Sequence, residues 1–277
     1  MDVIGFGVSD IGRQRQHNED SYVVESGAKL FIVADGMGGH AAGEIASRIA
    51  VEAVIEFILN SDEEEGTWPY AYDERLKRST NRLVAALKMA NRRVLEAMRQ
   101  DARLRGMGTT IVASMFDGDI ASFAHVGDSR AYMIRDSRIS RITNDHSWVY
   151  EQVQAGMLSE AEAEKHPLRN VITRALGGAV SIHPDAAEVD CRPGDTFLLC
   201  SDGLTGMVPE EEILEIITQS LDVEQISEQL VARANEHGGQ DNITALVVRT
   251  IEGSADQAEV SDGPTSHDTD ENDSKPE

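Results

Sequence analysis

The chain of 277 residues carries 25 Lys and Arg against 49 Asp and Glu, a formal charge of −24. Such a shortage of cations excludes a protein that tracks nucleic-acid backbones and disfavours docking on an anionic membrane. With 40% hydrophobic residues there is material for a core, two cysteines cannot build a disulfide framework, and no apolar stretch approaches the roughly 18 residues of a membrane span. Residues 1–5 hold neither a basic segment nor a hydrophobic run, so no signal peptide is expected. These features describe an acidic globular protein of the cytoplasm, expected to be a monomer.

Residues 3–9, 21–25 and 30–34 read as strands, the last two joined at Gly27. From residue 41 the period changes. Glu44, Arg48, Glu52 and Glu56 recur every four residues beside Ile45, Ile49, Ala53 and Phe57, the charged and buried stripes of a helix. Residues 61–74 read as an insertion or lengthened loop between the two helices, with an acidic run at 62–65 and the aromatics Trp68, Tyr70 and Tyr72. A second helix is predicted over 75–101, with Leu83, Leu87, Ala90 and Val94 on one face. Ten of the 25 bases lie between residues 75 and 105, as an anion-binding helix or, more simply, a solvated face offsetting nearby acids.

Strands follow at 109–116, 120–126 and 131–134, with a hairpin turn at Asp117-Gly118. Residues 144–181 have no strand pattern and read as a mobile insert. Ser159 and Glu162 there form a capping box that starts a short helix ending before Pro167. Strands at 188–191 and 196–200, helices at 210–219 and 223–235, and a strand at 243–249 complete the pattern. Hairpins mixed with helices predict largely antiparallel sheets in one domain over residues 1–250. From 251 onward nine acids meet one base and few apolar residues, so 251–277 reads as a disordered acidic tail.

Four apolar runs place an aspartate at a strand end: Asp35, Asp128 and Asp202 follow theirs, and Asp241 precedes its own. Glu19 and Asp20 stand directly before another strand. A lone Asp-Gly is ordinarily a turn, but this many carboxylates at the rim of one core would repel unless a cation neutralised them. Oxygen donors with few His or Cys nearby select Mg²⁺ or Mn²⁺ over zinc, as a two-metal hydrolase requires. Arg15 can hold phosphate oxygens through its guanidinium. His40, between Asp35 and the first helix, is placed to act as a general acid. Cys191 and Cys200 read as core thiols.

Arg15 with Asn18-Glu19-Asp20, Asp35-Gly36-Met37-Gly38-Gly39-His40, Gly108-Thr109-Thr110, Val126-Gly127-Asp128-Ser129-Arg130, Thr143-Asn144-Asp145-His146-Ser147, Ser201-Asp202-Gly203-Leu204 and Asp241-Asn242-Ile243-Thr244 occur in this order. Together they resemble the PPM (protein phosphatase 2C type) metal-dependent serine/threonine phosphatases in their compact bacterial form, across residues 1–250. The resemblance implies an α+β fold, a four-layer αββα sandwich of two central, mostly antiparallel sheets flanked by helices. It implies Asp35 bridging two Mn²⁺ or Mg²⁺ ions. Asp202 and Asp241 would complete the first, and the Gly36 carbonyl, Glu19 and Asp20 would serve the second. Asp128 would share a third, weaker ion with Asp202.

On the same grounds Arg15 would bind the substrate phosphate, a metal-bridged water would attack phosphorus, and His40 would protonate the leaving alkoxide. Residues 144–181 would be the flap. Expected partners are phosphorylated proteins, a serine/threonine kinase among them, with neither nucleic acid nor membrane. Two alternatives stay open: a catalytically silent phosphoprotein-binding regulator, and a two-metal phosphohydrolase of small molecules.

Overall fold

A computed structural model describes residues 1–38, 42–61, 70–219 and 221–253. His40, the acidic run at 62–65, Trp68 and the tail beyond 253 lie outside them. In chain order the first half comprises β1 (Asp2–Asp10), β2 (Asp20–Glu25), β3 (Leu30–Met37), α1 (Ala42–Asn60), α2 (Arg78–Gln100), β4 (Gly108–Thr109), β5 (Ile111–Asp117) and β6 (Ile120–Val126). The second comprises β7 (Arg130–Arg135), β8 (Arg138–Arg141), α3 (Trp148–Gln154), α4 (Glu160–Glu164), β9 (Asp185–Asp190), β10 (Thr196–Cys200), α5 (Asp202–Thr205), α6 (Glu210–Ile217), α7 (Val223–Glu236) and β11 (Ile243–Ile251).

One sheet runs β1-β11-β10-β7-β8. The other runs β2-β3-β5-β6-β9, with β4 paired to the end of β3. Every pairing is antiparallel. The inner strands are apolar on both faces because both faces are covered: all five residues of β10 are buried. Between the sheets Phe31, Phe116, Phe123 and Phe197 pack together, Phe116 meeting Phe31 and Phe197 edge-on at 5.6 and 5.3 Å.

Outside the second sheet, Leu83, Leu87 and Val94 of α2 and Ala46 and Val54 of α1 cover Ile32, Ile111 and Ala113. Outside the first, Ile213 of α6 and Ile226 and Leu230 of α7 cover Tyr132, Leu198 and Val247. The layers are helix, sheet, sheet, helix, as the resemblance implies. No described helix is long and apolar enough to cross a membrane. Both cysteines are free and buried.

Several boundaries differ from the sequence expectation for local reasons. The strand expected at 30–34 continues to Met37, so Asp35 and Gly36 sit within β3 rather than beyond it. The helix expected from 75 begins at Arg78. The residues before it form a turn in which the Asn81 amide donates to Asp73 and Leu76 carbonyls and accepts from the Asp73 N–H. The β5–β6 turn is Gly118-Asp119, with Asp117 paired to Ile120 and Gly118 at φ +61°. α3, α5 and β8 are too short to show a period. The capping box at Ser159 is present, with both reciprocal bonds made.

Candidate active site

β2 and β3 pair so that Asp20 lies opposite Asp35. β10 ends at Cys200, with only Ser201 before Asp202, and β11 starts directly after Asn242, so the two sheets deliver carboxylates to one end of the sandwich. The α5 turn and the start of β11 come very close. A Cβ on Gly203 would stand 1.9 Å from the Asn242 carbonyl, so only glycine brings Asp202 and Asp241 this near. Asp202 lies within hydrogen-bonding reach of Asp35.

The remaining ligand-type residues are held by backbone and hydroxyl contacts. Asp20, 8% exposed, accepts the Ser201 and Thr244 hydroxyls on Oδ2 at 2.8 and 2.6 Å, while its buried Oδ1 has no partner. The Asp35 carbonyl accepts the Thr110 N–H and the Thr109 hydroxyl. Asn242 accepts the Glu19 N–H and donates to the Ile11 and His17 carbonyls, tying the Arg15 loop to β11. The Glu19 carboxylate takes the Gly43 N–H in the first turn of α1. The Gly36 N–H donates to the Glu19 carbonyl. Asp128 is as buried as Asp20, again with an orphaned Oδ1.

Electrostatics join these residues into one site. Burial pushes Asp20 up to about 7, with Asp202 and Asp241 adding to it. Asp128 is pushed up to about 7 by burial and then by Asp202 and Asp145. Asp35 stands well above the carboxylate range through burial and then Asp20, Asp202, Asp128 and Asp241. Burial and Asp241 raise Asp202 too. Arg15, at the rim, reaches Asp241 at 2.5 Å and Glu19 at 4.0 Å. The structure thus brings together Arg15, Glu19, Asp20, Asp35, Gly36, Asp128, Asp202 and Asp241. Five crowded aspartates, all-oxygen donors and two buried oxygens without a hydrogen-bond donor fit hard divalent cations.

In the sequence Thr110, Ser201, Asn242 and Thr244 stand out only as parts of motifs, and no partner of Asp145 or His146 is legible there. The only signal for them was their place beside the aspartates. Asp145 forms a bidentate ion pair with Arg130, holding the start of residues 144–181 against β7. His146 clamps Gly127: its N–H donates to the Gly127 carbonyl at 2.9 Å, and its Nδ1 accepts the Gly127 N–H at 3.1 Å. Gly127, at φ +113° with Thr110 in the way of any Cβ, leads directly to Asp128.

His125, His146 and Asp185 also converge closely enough to suggest a cation site. The tautomer argues otherwise. Nδ1 of His146 accepts a backbone N–H, so the ring proton sits on Nε2, which faces Asp185 at 3.3 Å. An arginine, Arg174, already neutralises Asp185 at 2.9 Å.

The family model for protein phosphatase 2C matches residues 7–247. The serine/threonine phosphatase Stp of Listeria monocytogenes serotype 4b is 37% identical over 248 residues, covering 87% of this chain and 93% of that one. The Mycobacterium tuberculosis serine/threonine phosphatase PstP/Ppp superposes with a TM-score of 0.81 at 35% identity, covering 91% of this chain and all of that one. A structure of the PstP catalytic domain in complex with two manganese ions aligns at TM-score 0.77 and 34% identity, covering 90% of this chain and 99% of that one. The chain belongs to the protein phosphatase 2C family. It is a serine/threonine protein phosphatase, acting on phosphorylated proteins.

Proposed function

We propose that the chain releases phosphate from phosphoserine and phosphothreonine in proteins with Mn²⁺ or Mg²⁺ at the aspartate cluster, and that it opposes a serine/threonine kinase. The observation that carries this reading is the set of five crowded aspartates, whose mutual repulsion Arg15 and Arg130 offset only in part. Asp35, which feels all four others, would lie between two ions. Asp202 and Asp241 would complete one, and the Gly36 carbonyl, Glu19 and Asp20 the other. Asp128 would hold a third, weaker ion with Asp202. Ions bound there would supply an acidified water and screen the phosphoryl charge.

The chain's own side chains do the rest. Arg15 is half-exposed and positioned at the rim by Asp241 and Glu19, where its guanidinium would meet the phosphoryl oxygens. His40 is assigned the proton given to the departing serine or threonine oxygen. Its support is its place in the sequence, between β3 and α1. Residues 1–250 are taken as the catalytic domain, 144–181 as a flap beside it, and 251–277 as an acidic appendage. A cytoplasmic monomer without nucleic-acid or membrane partners accords with two buried reduced thiols and the charge of −24.

Phosphate release from a panel of phosphopeptides and small phosphates, with and without chelator, tests the reading. Metal-dependent turnover of phosphothreonine peptides above small esters is expected. Binding without turnover, or turnover of small esters alone, would overturn it. His40→Ala should slow alkyl phosphates far more than p-nitrophenyl phosphate, whose leaving group needs little protonation. Equal losses would remove His40 from that role.

A further inference from the structure

Away from the aspartates, a groove of about 780 Å³ runs between α2 and residues 180–183, the return arm of the flap. Lys88, Arg92 and Arg99 line it, against a single acid, Glu96. Arg93, on the neighbouring face, is taken up by Glu56, whereas Arg92 and Arg99 make no ion pair among the described residues. Val180, 80% exposed, adds an apolar wall. On a chain of −24, this is a local surplus of positive charge beside uncovered apolar surface.

The groove and the aspartates share a support. Asn91 of α2 donates to the Ala179 carbonyl at 3.0 Å and accepts the Gly177 N–H at 2.8 Å, hanging the return arm on the helix. One residue earlier, Leu176 exchanges both backbone bonds with Thr109, whose hydroxyl donates to the Asp35 carbonyl. From Leu176 to Val180 is at most roughly 14 Å of extended chain. The arm that lines the groove is thus tied, through Leu176 and Thr109, to the backbone that carries Asp35.

We propose that the groove binds an acidic segment flanking the phosphorylated residue of the protein substrate, a statement that rests on the phosphatase reading above. The net charge repels anionic substrates at long range, and the cationic groove supplies the local attraction that sets which of them dock and in what register. Val180 covers an apolar side chain of the same segment.

The test uses the full chain and the Arg92→Glu/Arg99→Glu double variant, with melting curves to confirm the fold. Two phosphothreonine peptides are compared, one neutral and one carrying an acidic, leucine-containing flank. A fluorescent copy of that flank without phosphate is followed by anisotropy, a readout that needs no turnover. In the variant, KM for the acidic peptide should rise roughly tenfold, with kcat, the neutral peptide and p-nitrophenyl phosphate unchanged. The fluorescent flank should bind the native chain in a salt-sensitive manner and lose that binding in the variant. Equal KM values with equal anisotropy would overturn the proposal. So would flank binding that appears only after residues 254–277 are removed, since the groove would then belong to the chain's own acidic tail. Failure of every phosphopeptide to turn over, with flank binding intact, would count against the phosphatase reading alone.

Discussion

The ring of His146 is 1% exposed; its Nδ1 accepts the Gly127 N–H, and its Nε2 faces Asp185 at 3.3 Å. Burial, with His125 and Arg174 close by, pushes it down to about 4. Its folded value therefore lies below the roughly 6.5 of an unfolded chain. The unfolded state binds the extra proton, so stability is level above that value and is lost as pH falls from about 6.5 to about 4, by up to about 3 kcal/mol. His146→Asn keeps an acceptor for Gly127 and removes the titration. Its melting temperature should depend less on pH over that window than the native chain's, and an unchanged slope would contradict the assignment. His146→Ala should also weaken the Asp128 loop, seen as a higher Mn²⁺ requirement than in His146→Asn. The aspartates were readable because each follows or opens an apolar run. The hydroxyls on Asp20 were not, since Ser201 and Thr244 lie 181 and 224 residues away and meet it only through sheet pairing.

At the scale of elements, what the sequence made legible was whatever repeats. α1, α2, α6 and α7 carry long apolar stripes, and the inner strands are continuous apolar runs, so their places follow from periodicity and burial. α5 is not legible in the sequence because one helical turn has no period, yet it carries Asp202 and packs through Gly203 on the Asn242 carbonyl. Gly203→Ala should push the α5 turn off the Asn242 carbonyl. The expected result is a fold that survives with metal-dependent turnover lowered by at least tenfold, a loss of about 1.4 kcal/mol in transition-state stabilisation, while circular dichroism stays native. Turnover like the native chain's would show that the close approach is incidental. Phe197→Ala acts on the packing between sheets instead. Removing this fully buried ring should cost about 3–5 kcal/mol in denaturant unfolding. A change below about 1 kcal/mol would mean the sheets do not depend on it.

For the molecule as a whole, the −24 divides by location. Residues 251–277 hold nine acids and one base, and five more aspartates crowd together at the sandwich end. The tail should be separable, but the cut belongs after Gly253. Ile251 still pairs with Asp2, so a cut after Thr250 would shorten β11. A chain ending at Gly253 should melt and turn over a neutral phosphopeptide as the full chain does, and a large fall in either would give the tail a structural part. The central claim is that the aspartate cluster, with Asp35 at its middle, makes this chain a metal-dependent phosphatase. It is tested most directly by manganese-dependent phosphate release from a phosphothreonine peptide, comparing the native chain with Asp35→Asn. The expected result is turnover by the native chain that chelator removes, and a loss of at least roughly a thousandfold in a folded Asp35→Asn protein. Near-native manganese-dependent release by that variant would contradict the account.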